Sequence, residues 1–414
     1  MELLLVTVPI LPILTTVAAY LLNQKQEQIV ANISVALILL TFLSSAFLLV
    51  SVIMGSEQIS VSFGEGWGML RLDPLGSLMS FVITGISLVV HVYSRRYMAD
   101  EEGYVRFYVL LGLMTSALLI MVSAADLVTL LVAWHFIGVL LYFLLGHNTD
   151  SLSTQKYAMW TLITYRIGDL PLVLAAALLY QAYGTFVLAD LFQLISTTGQ
   201  TREVLGMPVV EIAGILIAIA AFARSAQFLL HSWLPYTMSG PTPVSALMHA
   251  GIVNAGGFLV NRFAPLYMQT HDVLHLMFIV GLITAVIGSM LMLSQNDIKK
   301  ALGYSTMGQM GFMIMECGVG AFSLAVFHLI AHGLFKGTLF LGAGGVIGEA
   351  RDSDGVPKKA VYSFVIEREA KTQRRSWLFM ASITLAVPLI IIVAAHWLVA
   401  QDYFQKQGAV VLLF

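Results

Sequence analysis

Long apolar runs recur down the whole chain, separated only by short polar breaks, and this pattern leaves few folds open. A helix needs ~20 mostly apolar residues to cross the hydrocarbon core of a bilayer. Twelve such spans can be drawn, at approximately 3–22, 30–54, 74–93, 105–123, 126–146, 156–182, 209–231, 244–268, 273–295, 300–319, 321–347 and 376–399. Of 414 residues 58% are hydrophobic and 11% charged, against roughly 45–50% and ~25% in an ordinary soluble domain. Lipid cannot satisfy exposed backbone groups, so the spans must be helical. The expected fold class is all-α, a polytopic membrane protein of about 12–13 transmembrane helices forming one domain over residues 1–414. The first span lacks the basic flank and cleavage site of a secretory signal and is read as a retained helix.

Orientation follows from the cations, because cytoplasmic loops carry the excess of Lys and Arg. With the N-terminus outside, the inner loops hold Lys25, Arg95, Arg96, Arg106, Lys156, Lys299, Lys300, Arg351, Lys358, Lys359, Arg368, Lys371, Arg374 and Arg375. The outer segments hold only Arg71, Arg202, Arg262 and Lys406. The net charge of −2, with no basic tail, gives no electrostatic case for binding nucleic acid. Residues 57–72 alternate apolar and polar positions ahead of three glycines and predict an external β-hairpin. Residues 348–375 form the one long polar stretch, expected as a cytoplasmic loop where a partner could dock. The single cysteine, Cys317, cannot form an internal disulfide and suits a small buried apolar position.

Ionisable residues inside spans cost roughly 2.5 kcal/mol or more each, so they are usually paired, turned inward and part of an ion path. His135 lies in span 5, Arg166 and Asp169 in span 6, Arg224 and His231 in span 7, His249 in span 8, and His328, His332 and Lys336 in span 11. Arg166 and Asp169, three apart, can pair on one helix face, either structurally or beside an ion path. His328, His332 and Lys336 repeat at i, i+4, i+8 and share a face. The HxxxH pair could hold zinc, but the ammonium one turn on would repel a cation; a proton path is the alternative, and backbone-satisfied histidines a third. Lys336 is the lysine well inside a span and the best placed to load and release a proton, with His328, His332, His249 and His231 as relays. Lys299 would supply access from the cytoplasm, or else anchor the inner end by its charge. Two spans are expected to be broken: span 7, where Pro235, Gly240, Pro241 and Pro243 forbid a continuous helix, and span 11, at Gly333. Discontinuous helices at mid-membrane are a recurring device of transporters.

The stretches Tyr165–Asp169 (YRIGD), Ser225–Pro235 (SAQFLLHSWLP), Gly240–His249 (GPTPVSALMH), Asn296–Gln309 (NDIKKALGYSTMGQ) and Phe327–Leu341 (FHLIAHGLFKGTLFL) resemble the antiporter-like, proton-translocating subunits shared by respiratory complex I and Mrp-type cation antiporters. The resemblance covers spans 4 to 11. It implies inverted repeats and a polar axis along which buried lysine, histidine and carboxylate groups pass protons. Two positions depart from it: where the family has a glutamate after the tryptophan of span 5, Trp134 is followed by His135, and where it has a lysine before the SAQF stretch stands Arg224. Arginine does not release its proton in proteins, so Arg224 is a fixed positive charge, and His135, Arg224, Arg166 and Asp169 are expected to modulate the path rather than carry it. Span 12 shows no late lysine, and no sequence remains for a long lateral C-terminal helix.

These departures, with His249–Leu259 (HAGIVNAGGFL) and Ser94–Tyr97 (SRRY), resemble the DabB subunits of bacterial inorganic-carbon accumulation complexes. That resemblance implies a bacterial inner-membrane location and a DabA-like soluble zinc partner with a site similar to β-carbonic anhydrases. The ion flow would drive CO2 hydration to bicarbonate in that partner. The chain itself would be no enzyme and would hold no metal or other cofactor, the zinc being the partner's. The alternatives are a subunit of a complex I-type NADH dehydrogenase or of an Mrp antiporter, and, from another class, a membrane haem protein or enzyme using the histidines as ligands.

Overall fold

The computed structural model describes residues 1–22, 26–55, 59–64, 66–99, 101–198, 203–204, 206–351 and Ala386. Span 12, but for Ala386, and the polar stretch after Arg351 lie outside the described residues, as do Lys25 and Arg202. The order is α1 (Glu2–Ile10), α2 (Leu14–Leu21), α3 (Glu27–Ile53), β1 (Ile59–Ser62), β2 (Met69–Leu72), α4 (Pro74–Tyr97), α5 (Tyr104–Ser123), α6 (Leu127–Leu145) and α7 (Leu152–Tyr183). Then follow α8 (Leu188–Thr198), β3 (Glu203–Val204), β4 (Met207–Pro208), α9 (Val209–Arg224), α10 (Thr242–Leu247), α11 (Ala255–Arg262), α12 (Ala264–Tyr267), α13 (His271–Leu293), α14 (Ile298–Gly318) and α15 (Phe322–Arg351). Among the described residues nine helical stretches are long and apolar enough to cross a membrane, and the protein is a multi-pass, all-α membrane protein. The 16-residue α9 and the more polar α14 are not among the nine, yet both pack within the same bundle.

Polar caps set where several helices begin. Asp73 caps α4, its carboxylate accepting from Gly76 N at 2.6 Å, with Pro74 pre-set for the first turn. Asp126 caps α6 through Thr129 N at 2.8 Å and Asp297 caps α14 through Lys300 N at 2.9 Å. β1 and β2 pair antiparallel from Ile59 opposite Leu72 to Ser62 opposite Met69, and Asp126 also accepts from Met69 N at 2.7 Å, fastening the hairpin to α6. The segment between α7 and α9 holds a helix that the apolar-span reading passes over: α8 buries Leu188, Leu191 and Ile195 on one face and exposes Asp190 and Gln193 on the other.

Burial separates rim from centre. Only 28% of the most apolar stretch of α3, and of α13, is buried, against 94% for Thr242–Arg262. Leu43, Phe47, Ile279 and Met290 on the first two face outward, as lipid contact requires. The Thr242–Arg262 segment is therefore the heart of the bundle. Small residues bring α13 and α14 together: a Cβ on Gly281 would meet the Gly311 carbonyl oxygen at 2.7 Å, so only glycine allows this approach.

The helical run of span 7 does break. α9 ends at Arg224, and Ala226 and Leu229 then take left-handed conformations, φ 49° and 74°, which cost non-glycine residues energy and turn the chain sharply. A 3-10 segment, Leu234–Ser239, leads into α10. Span 8 is also interrupted, by a π-helical turn at Met248–Ile252 that carries His249. Span 11 differs from expectation: α15 is one unbroken α-helix through Gly333 to Arg351. Gly333 serves packing there, since a Cβ would lie 2.7 Å from the Ala250 carbonyl oxygen of the π-turn. The break is thus on the π-turn side of the contact rather than in α15. Residues 348–351, expected in the polar loop, belong to α15.

Candidate functional site

Two groups of polar side chains, with buried Lys336, His332 and Glu316 in one and buried Asp169 and Arg224 in the other, meet around Thr242–Arg262, while His135 is exposed. The larger lies between α14 and α15, which pack antiparallel. On α15, His328, His332 and Lys336 share a face as their spacing predicts. Lys336, 1% exposed, donates from Nζ to Ser305 Oγ at 2.7 Å and to the Leu302 carbonyl at 3.4 Å. His332 Nδ1 is 3.3 Å from Asn254 Oδ1. The His328 and His332 rings are 6.4 Å apart, and His328 Nδ1 is 3.0 Å from Glu316 Oε1 while its Nε2 is 2.9 Å from Gln309 Oε1. His249, fully buried on the π-turn, stacks on Phe340 at 4.3 Å within electrostatic reach of Lys336 and His332.

The residues opposite α15 are Leu302, Ser305, Gln309 and Glu316, spaced three, four and seven apart, one face of α14. Glu316, 3% exposed, is the buried carboxylate that a search of span 11's own surroundings passes over. The signal was present in the sequence as a polar stripe along span 10, legible only once spans 10 and 11 are set antiparallel. At the other end of α14, Lys299 Nζ lies 3.4 Å from the Gly240 carbonyl and 3.5 Å from that of Met238. From Lys299 to Glu316 the column runs about 25 Å at 1.5 Å per residue, close to the ~30 Å hydrocarbon core.

The second group lies where α6, α7 and α9 meet. Asp169 takes Arg166 at 3.0 Å, His135 at 3.2 Å and Arg224 at 3.6 Å, so the i, i+3 pair exists and the two substituted positions converge on the same carboxylate. Arg166 also contacts the His135 ring. Arg224, 2% exposed, lies with its guanidinium over the rings of Trp134 and Tyr165, 4.3 and 4.1 Å from their centroids, and donates to the Trp134 carbonyl at 2.6 Å. Its neighbour Ser225 donates to the Val253 carbonyl at 2.8 Å, one residue from the Asn254 that meets His332, so the two groups are joined through the chain's central segment. His231, expected as a relay, sits in the break of span 7 against Phe228 and is not brought into either group.

Among the described residues no set of three His, Cys, Asp or Glu side chains could hold a metal ion. In the HxxxH pair each histidine instead faces a polar partner on a neighbouring helix. Cys317 is buried, its sulfur 3.8 Å from Asn261 Nδ2.

A discontinuous central segment, 94% buried and flanked by lysine, histidine and carboxylate groups, fits an antiporter-like membrane subunit. The chain belongs to this family: residues 124–414 match the family described as "NADH:quinone oxidoreductase/Mrp antiporter, TM", and residues 59–108 match "NADH-Ubiquinone oxidoreductase (complex I), chain 5 N-terminus". Within it, the chain is 60% identical over 98% of its length to the probable inorganic carbon transporter subunit DabB1 of Halothiobacillus neapolitanus, spanning 73% of that protein. It is 37% identical over 77% of its length to a chloroplastic NAD(P)H-quinone oxidoreductase subunit 5 of Cichorium intybus, of which it spans 45%. Among solved structures, a chain of the Mrp complex from Dietzia sp. DQ12-45-1b matches with a TM-score of 0.71 at 30% identity, over 86% of this chain and 38% of that one. A chain of the archaeal membrane-bound sulfane sulfur reductase shares the fold alone, with a TM-score of 0.76 at 20% identity over 99% of this chain and 84% of that one.

Proposed function

We propose that this chain is the cation-conducting membrane subunit of a bacterial inner-membrane complex for inorganic carbon uptake, with protons as the ion. Their flow would drive CO2 hydration to bicarbonate in a soluble, zinc-bearing, DabA-like partner. The observation that carries the reading is the column Lys299, Lys336, His249, His332, His328: groups that can gain and lose protons, the middle three buried and the two at the ends half-buried, in succession across most of a membrane's thickness. Lys336 is its loading site, with Ser305 and the Leu302 carbonyl holding the ammonium form. His249 and His332 carry buried ring nitrogens with no protein hydrogen-bond partner, atoms through which water could link them to the rest of the column. Asp169, His135, Arg166 and Arg224 set a fixed field beside the column.

The carbon branch of the reading rests on the DabB1 relative and on His135 and Arg224, which replace the glutamate and lysine of the wider family. Energetically the coupling suffices: one elementary charge crossing ~100 mV releases ~2.3 kcal/mol, more than the ~1.4 kcal/mol of a tenfold bicarbonate gradient. The test is gentle-detergent purification of the full chain from its native membranes, with mass spectrometry of what accompanies it and a zinc assay. One large soluble zinc protein in stoichiometric amount is expected. Dehydrogenase subunits with flavin or iron–sulfur centres, or a set of Mrp subunits, would instead establish the second reading, which the match to the Mrp chain favours.

A further inference from the structure

A carboxylate deep in an apolar bundle is costly unless paired, and Glu316 is the buried acid at the end of the α14–α15 column away from Lys299 and Lys336. It lies two residues before α14 ends at Gly318. Its partner His328 lies six residues into α15, roughly 9 Å along the axis. By the positive-inside rule the Lys299–Lys300 end is cytoplasmic, which puts Glu316 at the opposite face. A cavity of about 360 Å³ opens at this same end of the bundle, on the α13-facing side of α14, lined by His271, His275, Phe278, Gly318 and others; Glu316 itself faces α15.

We propose that Glu316 is the proton-exchange carboxylate at the outer end of the column, passing the proton to His328 Nδ1. The proposal deepens the ion-conducting reading and rests on it. The geometry divides the work of the imidazole. Nε2 faces the Gln309 amide oxygen at 2.9 Å and donates its N–H there, so Nδ1, 3.0 Å from Glu316 Oε1, is the nitrogen that exchanges with the acid. A proton taken from solvent makes Glu316 a carboxylic acid. Its O–H bond breaks as the Nδ1–H bond forms, giving carboxylate and imidazolium. The pair is electrically neutral before and after the transfer, so the step moves a proton without adding net charge to the membrane interior. The imidazolium then releases its Nε2 proton toward His332, and a turned Gln309 amide, donating N–H to the bare Nε2, holds the state left behind. One proton has entered at Glu316 and one has left at Nε2, and the Nδ1–H tautomer left behind returns to Nε2–H, as Gln309 turns back, before the next transfer. The titratable groups around the pair are His332 on α15, Cys317 on α14 and, at the cavity, His271 and His275 on α13; α11 adds the uncharged Asn261 beside Cys317.

The test is proton uptake by sealed membrane vesicles carrying the full chain with its native companions, driven by an imposed pH gradient and read with a pH-sensitive dye. Wild type, Glu316→Gln, Glu316→Asp and Lys336→Ala are compared across external pH. Glu316→Gln keeps the shape and a hydrogen bond to His328 but cannot exchange a proton, and it is expected to slow uptake by about tenfold or more. Glu316→Asp is expected to restore uptake with a displaced pH profile. Wild-type uptake in Glu316→Gln beside a silent Lys336→Ala would overturn the proposal and leave the ion-conducting reading standing. Equal losses in the Gln and Asp variants would make Glu316 a packing residue and also overturn it. Wild-type vesicles no faster than vesicles lacking the chain would overturn the proposal and the reading together. If Glu316→Gln does not accumulate, Glu316→Asp decides alone: a displaced profile supports the proposal and an unchanged one rejects it.

Discussion

Arg224 shows how far a single residue type constrains its site. Its guanidinium lies over two aromatic rings, caps the Trp134 carbonyl and reaches Asp169, contacts that use its planar, delocalised shape. A lysine offers a compact ammonium that matches none of the stacking. Arg224→Lys, which restores the residue of the wider family, is therefore expected to lower stability in detergent by about 1–2 kcal/mol, read as a fall in thermal midpoint. At this scale the sequence was informative about identity and poor about partnership. The positions of His135, Arg224, Arg166 and Asp169 were legible, but their convergence on one carboxylate was not, because they come from three helices. Glu316 was missed for a related reason: it lies only twelve residues from His328 in sequence, but across a helix–helix connection, and its stripe on α14 acquires meaning only against α15.

Among elements, caps and breaks decide the architecture. Pro235, Gly240, Pro241 and Pro243 announce the interruption after α9, and it occurs. The apparent weakness at Gly333 is instead a close-packing position, because a missing Cβ reports equally a flexible backbone and a near neighbour, and sequence alone does not tell these apart. Arg262, counted from the sequence among the outer cations, is buried; it pairs with Asp73 and donates to the Val122 carbonyl at 2.7 Å, tying α11 to the start of α4 and the end of α5. Burial alone would raise the Asp73 carboxyl, but Arg262, the Gly76 amide and Arg71 outweigh it and hold the group below its ordinary 3.8. A depressed folded value stabilises the protein above the ordinary carboxylate range, and that contribution is lost as pH falls through the folded value. Asp73→Asn keeps a capping side chain but leaves Arg262 without its counter-charge. It is expected to cost about 3–5 kcal/mol at neutral pH and to show a smaller loss of thermal midpoint than wild type when both are acidified below about pH 4.

Over the whole molecule, length and composition were enough to read a polytopic helical bundle, and the quoted motifs were enough to read the antiporter-like family. What the sequence did not reveal was which segment is central: hydropathy ranks α3 and α13 as strongly as any helix, whereas both lie at the rim and the moderately apolar Thr242–Arg262 segment lies at the heart. Hydropathy records lipid compatibility, and the functional centre of a transport bundle is where that compatibility is sacrificed to polar groups. In the proposed function, proton flow through the column at Lys336 powers carbon uptake. This coupling is tested most directly by accumulation of radiolabelled inorganic carbon in cells expressing the whole complex, with the native chain or with Lys336→Ala, each with and without a protonophore. Native cells are expected to accumulate carbon until the protonophore is added, and Lys336→Ala cells, with the complex still assembled, are expected to accumulate none. Native-rate accumulation by the Lys336→Ala complex, or accumulation indifferent to the protonophore, would contradict it.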